Sequence, residues 1–181
     1  MTNASILYDA DSVLKFWREA ESCWFAPAPP FDDEFRGRFM AYHLVAAARR
    51  LDSWSGAAAS ALSLVLLLDQ FPRNAFRHTA HMFATDPLAR LFAVLALERR
   101  YDDVVDAKLR KFFYLPFMHS EALEDQERSV ELFRNLDETK HAESHAAVIR
   151  RFGRFPHRNA ALGRPITSDE QLFLDAGGFA G

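Results

Sequence analysis

The stretch from Gly56 to Leu68 is apolar almost without a break and stops at Asp69. Its 13 residues fall short of the roughly 20 that a membrane-spanning helix needs. A helix apolar on nearly every face has to be wrapped by other elements, so this run predicts the central buried helix of the fold. The flanking sequence supplies the wrapping. Val13, Leu14, Phe16 and Trp17 fall at helical spacing behind Asp9 or Asp11 as caps. Pro27, Pro29 and Pro30 force a break, after which Phe31, Phe35, Phe39 and Tyr42 or His43 mark a second amphipathic helix to about Arg50. Pro72 is expected to end the central helix at Phe71, because proline disfavours helical geometry in the residue before it. Further helices are expected from Asp86 to Arg100, from Asp106 to near Pro116, from His119 to Leu136 and from Glu138 to Phe152. A short last one starts at Thr167, where Glu170 three residues on completes a capping box. No alternating Val/Ile/Thr run appears, so no strands are expected. With short connections and no linker, residues 1–181 read as a single all-α domain of seven to nine helices packed as antiparallel hairpins.

Several function classes drop out on composition. A single cysteine, Cys23, excludes an internal disulfide and leaves no cysteine cluster for zinc. It reads as a packed small hydrophobe beside Trp24 and Phe25. Met1–Ser5 opens no basic and apolar signal sequence, so a cytoplasmic protein without a membrane partner is expected. The net charge of −3 argues against nucleic acid as a partner. Gly153, Gly163, Gly177 and Gly178 form no phosphate-cradling pattern, and no cofactor is expected.

The basic residues are unevenly chosen and unevenly placed: 18 are Arg and 4 are Lys. Residues 119–143 carry 3 basic and 8 acidic side chains, whereas residues 150–164 carry Arg150, Arg151, Arg154, Arg158 and Arg164 and no acid. Such arginines either brace the acidic helix bidentately or present planar forks to a carboxylate or phosphate ligand.

Polar residues also fall on apolar faces. His119, Leu123, Gln126, Val130 and Phe133 share one helical face, as do His141, His145, Val148 and Phe152 on the next helix. Asp69 ends the most apolar helix. Asp69, His119, Gln126 and His145 are therefore expected to point inward, where buried polar groups must find partners. They form either a network fixing helix register or a polar pocket with histidine as acid or base. Phe71-Pro72-Arg73-Asn74-Ala75 recurs as Phe155-Pro156-His157-Arg158-Asn159-Ala160 with one insertion, and a third break, Leu115-Pro116-Phe117, leads into His119-Ser120-Glu121. His141 and His145 have the spacing to share a metal, with His119 and Glu121 to complete a set, but no Glu follows His141 and no metal site is expected. His78 and His81 are expected to face solvent from a loop, and Ser120 to cap a helix start.

Leu68-Asp69-Gln70-Phe71-Pro72-Arg73-Asn74, Tyr114 through Glu121 and Phe152 through Asn159, with Trp24-Phe25 and Leu162-Gly163-Arg164, together resemble the bacterial family known as domain of unknown function 924. The resemblance implies a fold similar to tetratricopeptide-like helical-hairpin stacks and brings no established activity. It marks Asp69, Arg73, Asn74, His119, Glu121, Gln126, His145, Arg154, His157, Arg158 and Asn159 as motif residues, and leaves out His78, His81 and His141. Two functional readings follow. In one, Asp69, Arg73, Asn74, Gln126, Arg154, His157, Arg158 and Asn159 bind a small anionic molecule, with His119, His145 and Glu121 as catalytic candidates. In the other, the protein is a scaffold for a peptide, a protein partner or a second copy of itself, and the same residues lock its register.

Overall fold

The computed structural model describes residues 8–25 and 28–179; the expectations at Met1–Ser5 and Pro27 lie outside them. Eight α-helices are described: α1 (Ala10–Glu19), α2 (Pro29–Ala47), α3 (Ala58–Ala75), α4 (Asp86–Glu98), α5 (Leu115–Met118), α6 (Leu123–Arg134), α7 (Thr139–Phe152) and α8 (Ser168–Asp175). Short 3-10 turns join them, and no strand occurs among the described residues.

The apolar run becomes α3, and Leu62, Leu64, Val65, Leu66, Leu67 and Leu68 are all fully buried in it. Helices α1, α2 and α4 pack around it. Helix α2 runs antiparallel to α3: Asp32 meets Asn74, Phe35 meets Phe71, and His43 meets the Leu67 carbonyl. Helix α4 also runs antiparallel, with Asp86 beside Arg73 at one end and Tyr101, just beyond the other end, bonded to the Gly56 carbonyl. The phenylalanines at helical spacing on α2 stack with Phe16 and Trp17 of α1. Each such ring contributes roughly 1.5–3 kcal/mol by leaving water. Helices α6 and α7 form a hairpin that turns at Asp137, where φ is 56°. A small second cluster, Val148, Ile149 and Phe155 with Phe152, Phe173 and Phe179, lies beneath α8. Thr167 and Glu170 make the expected capping box, and Asp9 caps α1.

Three expected boundaries move. Pro72 does not end α3, which continues to Ala75. Proline at 72 removes the N–H that would bond the Leu68 carbonyl, and that carbonyl instead accepts from the Thr85 hydroxyl at the start of α4. The freed acceptor docks a neighbouring helix. The helix expected from Asp106 is a 3-10 turn (Arg110–Phe113), and Pro116 sits in the first turn of α5, a position proline favours because its missing N–H has no partner there. The helix expected from His119 starts at Leu123. His119 ends α5 instead, after which the chain reaches an extended Ala122 (ψ 129°). Leu123 is 44% exposed, so the shared face holds for Gln126, Val130 and Phe133 but not for Leu123.

Ala80–Glu98 has the length and mean hydropathy of a membrane span. Its regular helix, however, is the 13-residue α4, about 20 Å long against a hydrocarbon core of roughly 30 Å.

Candidate functional site

Five elements bring charge to one place. Asp69 and Arg73, one turn apart, lie on the C-terminal half of α3; Asp86 opens α4; His119 closes α5; His145 lies on α7; Arg158 lies on the 3-10 turn Pro156–Arg158 after it. Asp69 is fully buried. One of its oxygens is 2.8 Å from His119 Nδ1 and the other accepts from Gln70 Nε2 at 2.6 Å. Arg73 donates to the Asp69 backbone carbonyl at 2.8 Å and forks onto Asp86 at 2.8 and 3.1 Å. Arg158 reaches the same Asp86 carboxylate at 3.4 Å. The two arginines of the repeated Phe-Pro motif thus meet on one acid.

Burial pushes the Asp69 carboxyl up, but the Arg73 charge, with the hydrogen bonds from His119 and Gln70, outweighs it and holds Asp69 well below the usual carboxylate range. Burial, then the Arg73 charge, pulls His119 down against the opposing pull of Asp69. The imidazole is therefore neutral at pH 7. With Asp69 ionised and acceptor-only, Nδ1 carries the proton and donates it, which leaves Nε2 with a free lone pair. His145 donates from Nδ1 to the His141 carbonyl, and its ring centroid is 6.5 Å from that of His119. Burial lowers His145 to about 3 and, together with Arg158, His157 to about 4.

Arg158 is held differently from Arg73. Its side chain is 8% exposed and its guanidinium lies 4.5 Å from the Phe83 ring and 4.4 Å from the Phe155 ring. Among the described residues its Nε–H is buried without a hydrogen-bond partner. Burial, then Arg73, lowers it to about 10.

The remaining motif residues stand around this cluster. Glu121 accepts from both Arg164 Nη atoms, at 2.7 and 3.0 Å, and from the Phe155 backbone N–H at 2.8 Å. Arg154 forks onto Glu170 and reaches the Pro165 carbonyl. Gln126 donates to the Met118 and Ser120 carbonyls, closing the α5–α6 turn. Asn159 is buried, and its backbone links Pro156 to Arg164. Asn74 turns away to Asp32, which also holds Arg77. The Arg-only segment is thus largely internal bracing, joined to Asp86, Glu121 and Glu170, with Arg150 3.8 Å from Glu143 and Arg151 over the Phe152 ring. His81 is exposed, yet its Nε2 lies 3.1 Å from Nε2 of buried His43. No group of three or more potential ligands is arranged for a metal among the described residues. Two surface cavities, of about 570 and 340 Å³, open beside α1 and contain no motif residue.

A model of the family described as bacterial protein of unknown function (DUF924) matches residues 13–178. The chain belongs to this family. A solved structure of a protein of unknown function from Agrobacterium tumefaciens is 48% identical, with a TM-score of 0.90 over 93% of this chain and 97% of that one. No curated protein matches the chain. Asp86, the acid on which the two motif arginines of this DUF924 chain converge, is marked in the sequence only as the start of a helix. Asp86 stands at the start of α4, where an acidic residue has an ordinary helix-dipole explanation, and nothing in its spacing announces the arginines.

Proposed function

We propose that the cluster of Asp69, Arg73, Asp86, His119, His145 and Arg158 binds a small anionic molecule and that His119 acts on it as an acid or base. The state of Arg158 carries this reading. A buried guanidinium normally has its donors met, because each unmet group costs about 1–3 kcal/mol. Among the described residues Arg158 makes one long hydrogen bond and has an unmatched Nε–H. A carboxylate or phosphate oxygen pair supplies the acceptors in the geometry a guanidinium fork prefers. Arg73 is already engaged by Asp69 and Asp86 and serves to hold those carboxylates in place.

His119 supplies the chemistry. Asp69 fixes its tautomer, presents Nε2 as a base and stabilises the imidazolium formed once a proton is taken. Glu121, Gln126, Arg154 and Asn159 act as braces in this reading, while His145 and His157 form the wall of the site.

A thermal-shift screen of small carboxylates and phosphates tests the proposal, since a ligand that binds the folded state raises its stability. At least one anion raises the wild-type Tm, and the rise disappears in Arg158→Met. That variant itself unfolds no earlier than wild type, because Asp86 keeps both of its bonds from Arg73 and no charge is left unpaired when the apolar side chain replaces Arg158. A lowered Tm for Arg158→Met with no wild-type response to any anion would make the cluster a structural network.

A further inference from the structure

Phe179 occupies a place that the main core does not require. Its ring centroid lies 4.2 Å from that of His145, 5.4 Å from His157 and 6.2 Å from Phe155. Phe155 in turn carries the Arg158 guanidinium against its ring, so the Phe179 ring sits one aromatic side chain away from the unmet donor. The cluster it joins is separate from the main core. Two glycines bring it there. Gly177 has φ +74°, and a Cβ added at Gly178 would lie 2.5 Å from the Phe173 carbonyl oxygen. Their N–H groups bond the Leu174 and Phe173 carbonyls, ending α8 and turning the chain back. Glycine pairs carry an entropic cost, and here the result is one benzyl group laid against two histidines.

We infer that Phe179 fills the apolar half of the anion site, and that the ligand is a flat aromatic or heteroaromatic carboxylate that binds by displacing it. The inference rests on the anion-site reading above. The charges favour a monoanion: Asp69 and Asp86 balance Arg73 and Arg158, so the site offers an unmet donor, the Arg158 Nε–H, without the excess positive charge a dianion needs. The walls favour a ring. His145 and His157 are neutral at pH 7 and stand with Phe155 in the tilted and edge-on arrangements that aromatic groups adopt with one another. The Arg158 charge acts on both His145 and His157, the two rings that flank Phe179, so a carboxylate carried by a ligand ring in that place has this guanidinium as its cationic neighbour. Phe179 then competes with the ligand, and apparent affinity falls by the fraction of molecules in which the tail is seated.

The probes are phenylacetate, cyclohexylacetate, acetate and inorganic phosphate, titrated by calorimetry into wild type, Phe179→Ala, Gly178→Ala and Arg158→Met. Gly178→Ala keeps the ring but unseats the tail. Phenylacetate binds about tenfold tighter to Phe179→Ala and to Gly178→Ala than to wild type, more tightly than cyclohexylacetate throughout, and not at all to Arg158→Met. The imidazole NMR signals of His145 and His157 shift on binding. If neither tail variant gains affinity, or cyclohexylacetate binds as well, while some anion still binds in an Arg158-dependent way, the aromatic inference fails and the anion site stands. If no probe binds wild type or either tail variant, both fail.

Discussion

Replacing Asp86 with alanine removes a carboxylate that two guanidinium groups share. Asp86, Arg73 and Arg158 have side-chain exposures of 11%, 13% and 8%, so water screens the lost pairs only weakly. Arg73 retains Asp69 at 3.2 Å, but Arg158 keeps only the faces of Phe83 and Phe155. Removing one partner of a buried pair costs about 3–5 kcal/mol, most of it from the charge left behind. At about 2–4 °C per kcal/mol for a chain of this size, Tm falls by roughly 6–20 °C. Urea unfolding followed by circular dichroism at pH 7.5 should show a lower midpoint with an unchanged m-value. The double variant Asp86→Ala/Arg158→Met recovers at least half of the loss, because the orphaned charge is gone. A loss below about 1 kcal/mol, the value of a solvent-exposed pair, would mean that Asp86 does not hold a buried charge, as would a double variant no more stable than the single one.

Thr85→Val leaves the Leu68 carbonyl, freed by Pro72, without its partner; a stability loss of about 1–3 kcal/mol is expected by urea melt, and no loss would mean that Pro72 needs no compensation. Gln126→Leu strips the Met118 and Ser120 carbonyls of a buried donor and should cost about 2–4 kcal/mol, with faster amide exchange over residues 118–122; unchanged exchange there counts against its bracing role. Stability should also fall with acid in two stages. His145 and His157 titrate at about 3 and about 4 when folded and near 6.5 when unfolded, so the unfolded chain binds more protons between those values. Their contribution is complete above about pH 6.5 and declines below it by up to about 1.4 kcal/mol per pH unit for each histidine. Asp69, Glu121 and Glu170, all held below the usual carboxylate range, add to the slope only below about pH 4. His145→Gln should flatten the upper stage, and a urea midpoint constant from pH 7 to 4.5 would contradict the burial of these rings.

The fold class was legible because α3 can only be a wrapped helix and because the phenylalanines of α2 repeat at helical spacing. Asp69 was legible as an inward polar group for the same reason, standing at the end of a fully apolar run. His119 was expected to point inward, and it does, but by another route: it caps a one-turn helix rather than sharing a face with Gln126. Periodicity cannot see that break, because Pro116 starts α5 where proline was expected to stop a helix. The repeated Phe-Pro motif gave Arg73 and Arg158 as a pair, while their common partner stayed hidden. Asp86 reaches them only because α4 docks antiparallel on α3 through the Leu68 carbonyl, a tertiary contact that no local pattern encodes.

The most direct measurement is the histidine-selective ¹⁵N NMR spectrum of His119 at pH 7, recorded with and without small carboxylates in wild type and in Arg158→Met. A neutral ring protonated at Nδ1 is expected, with an unprotonated Nε2 whose signal moves on adding a carboxylate to wild type and stays still in the variant. An imidazolium, a proton on Nε2, or a signal silent to every carboxylate tested would contradict that expectation.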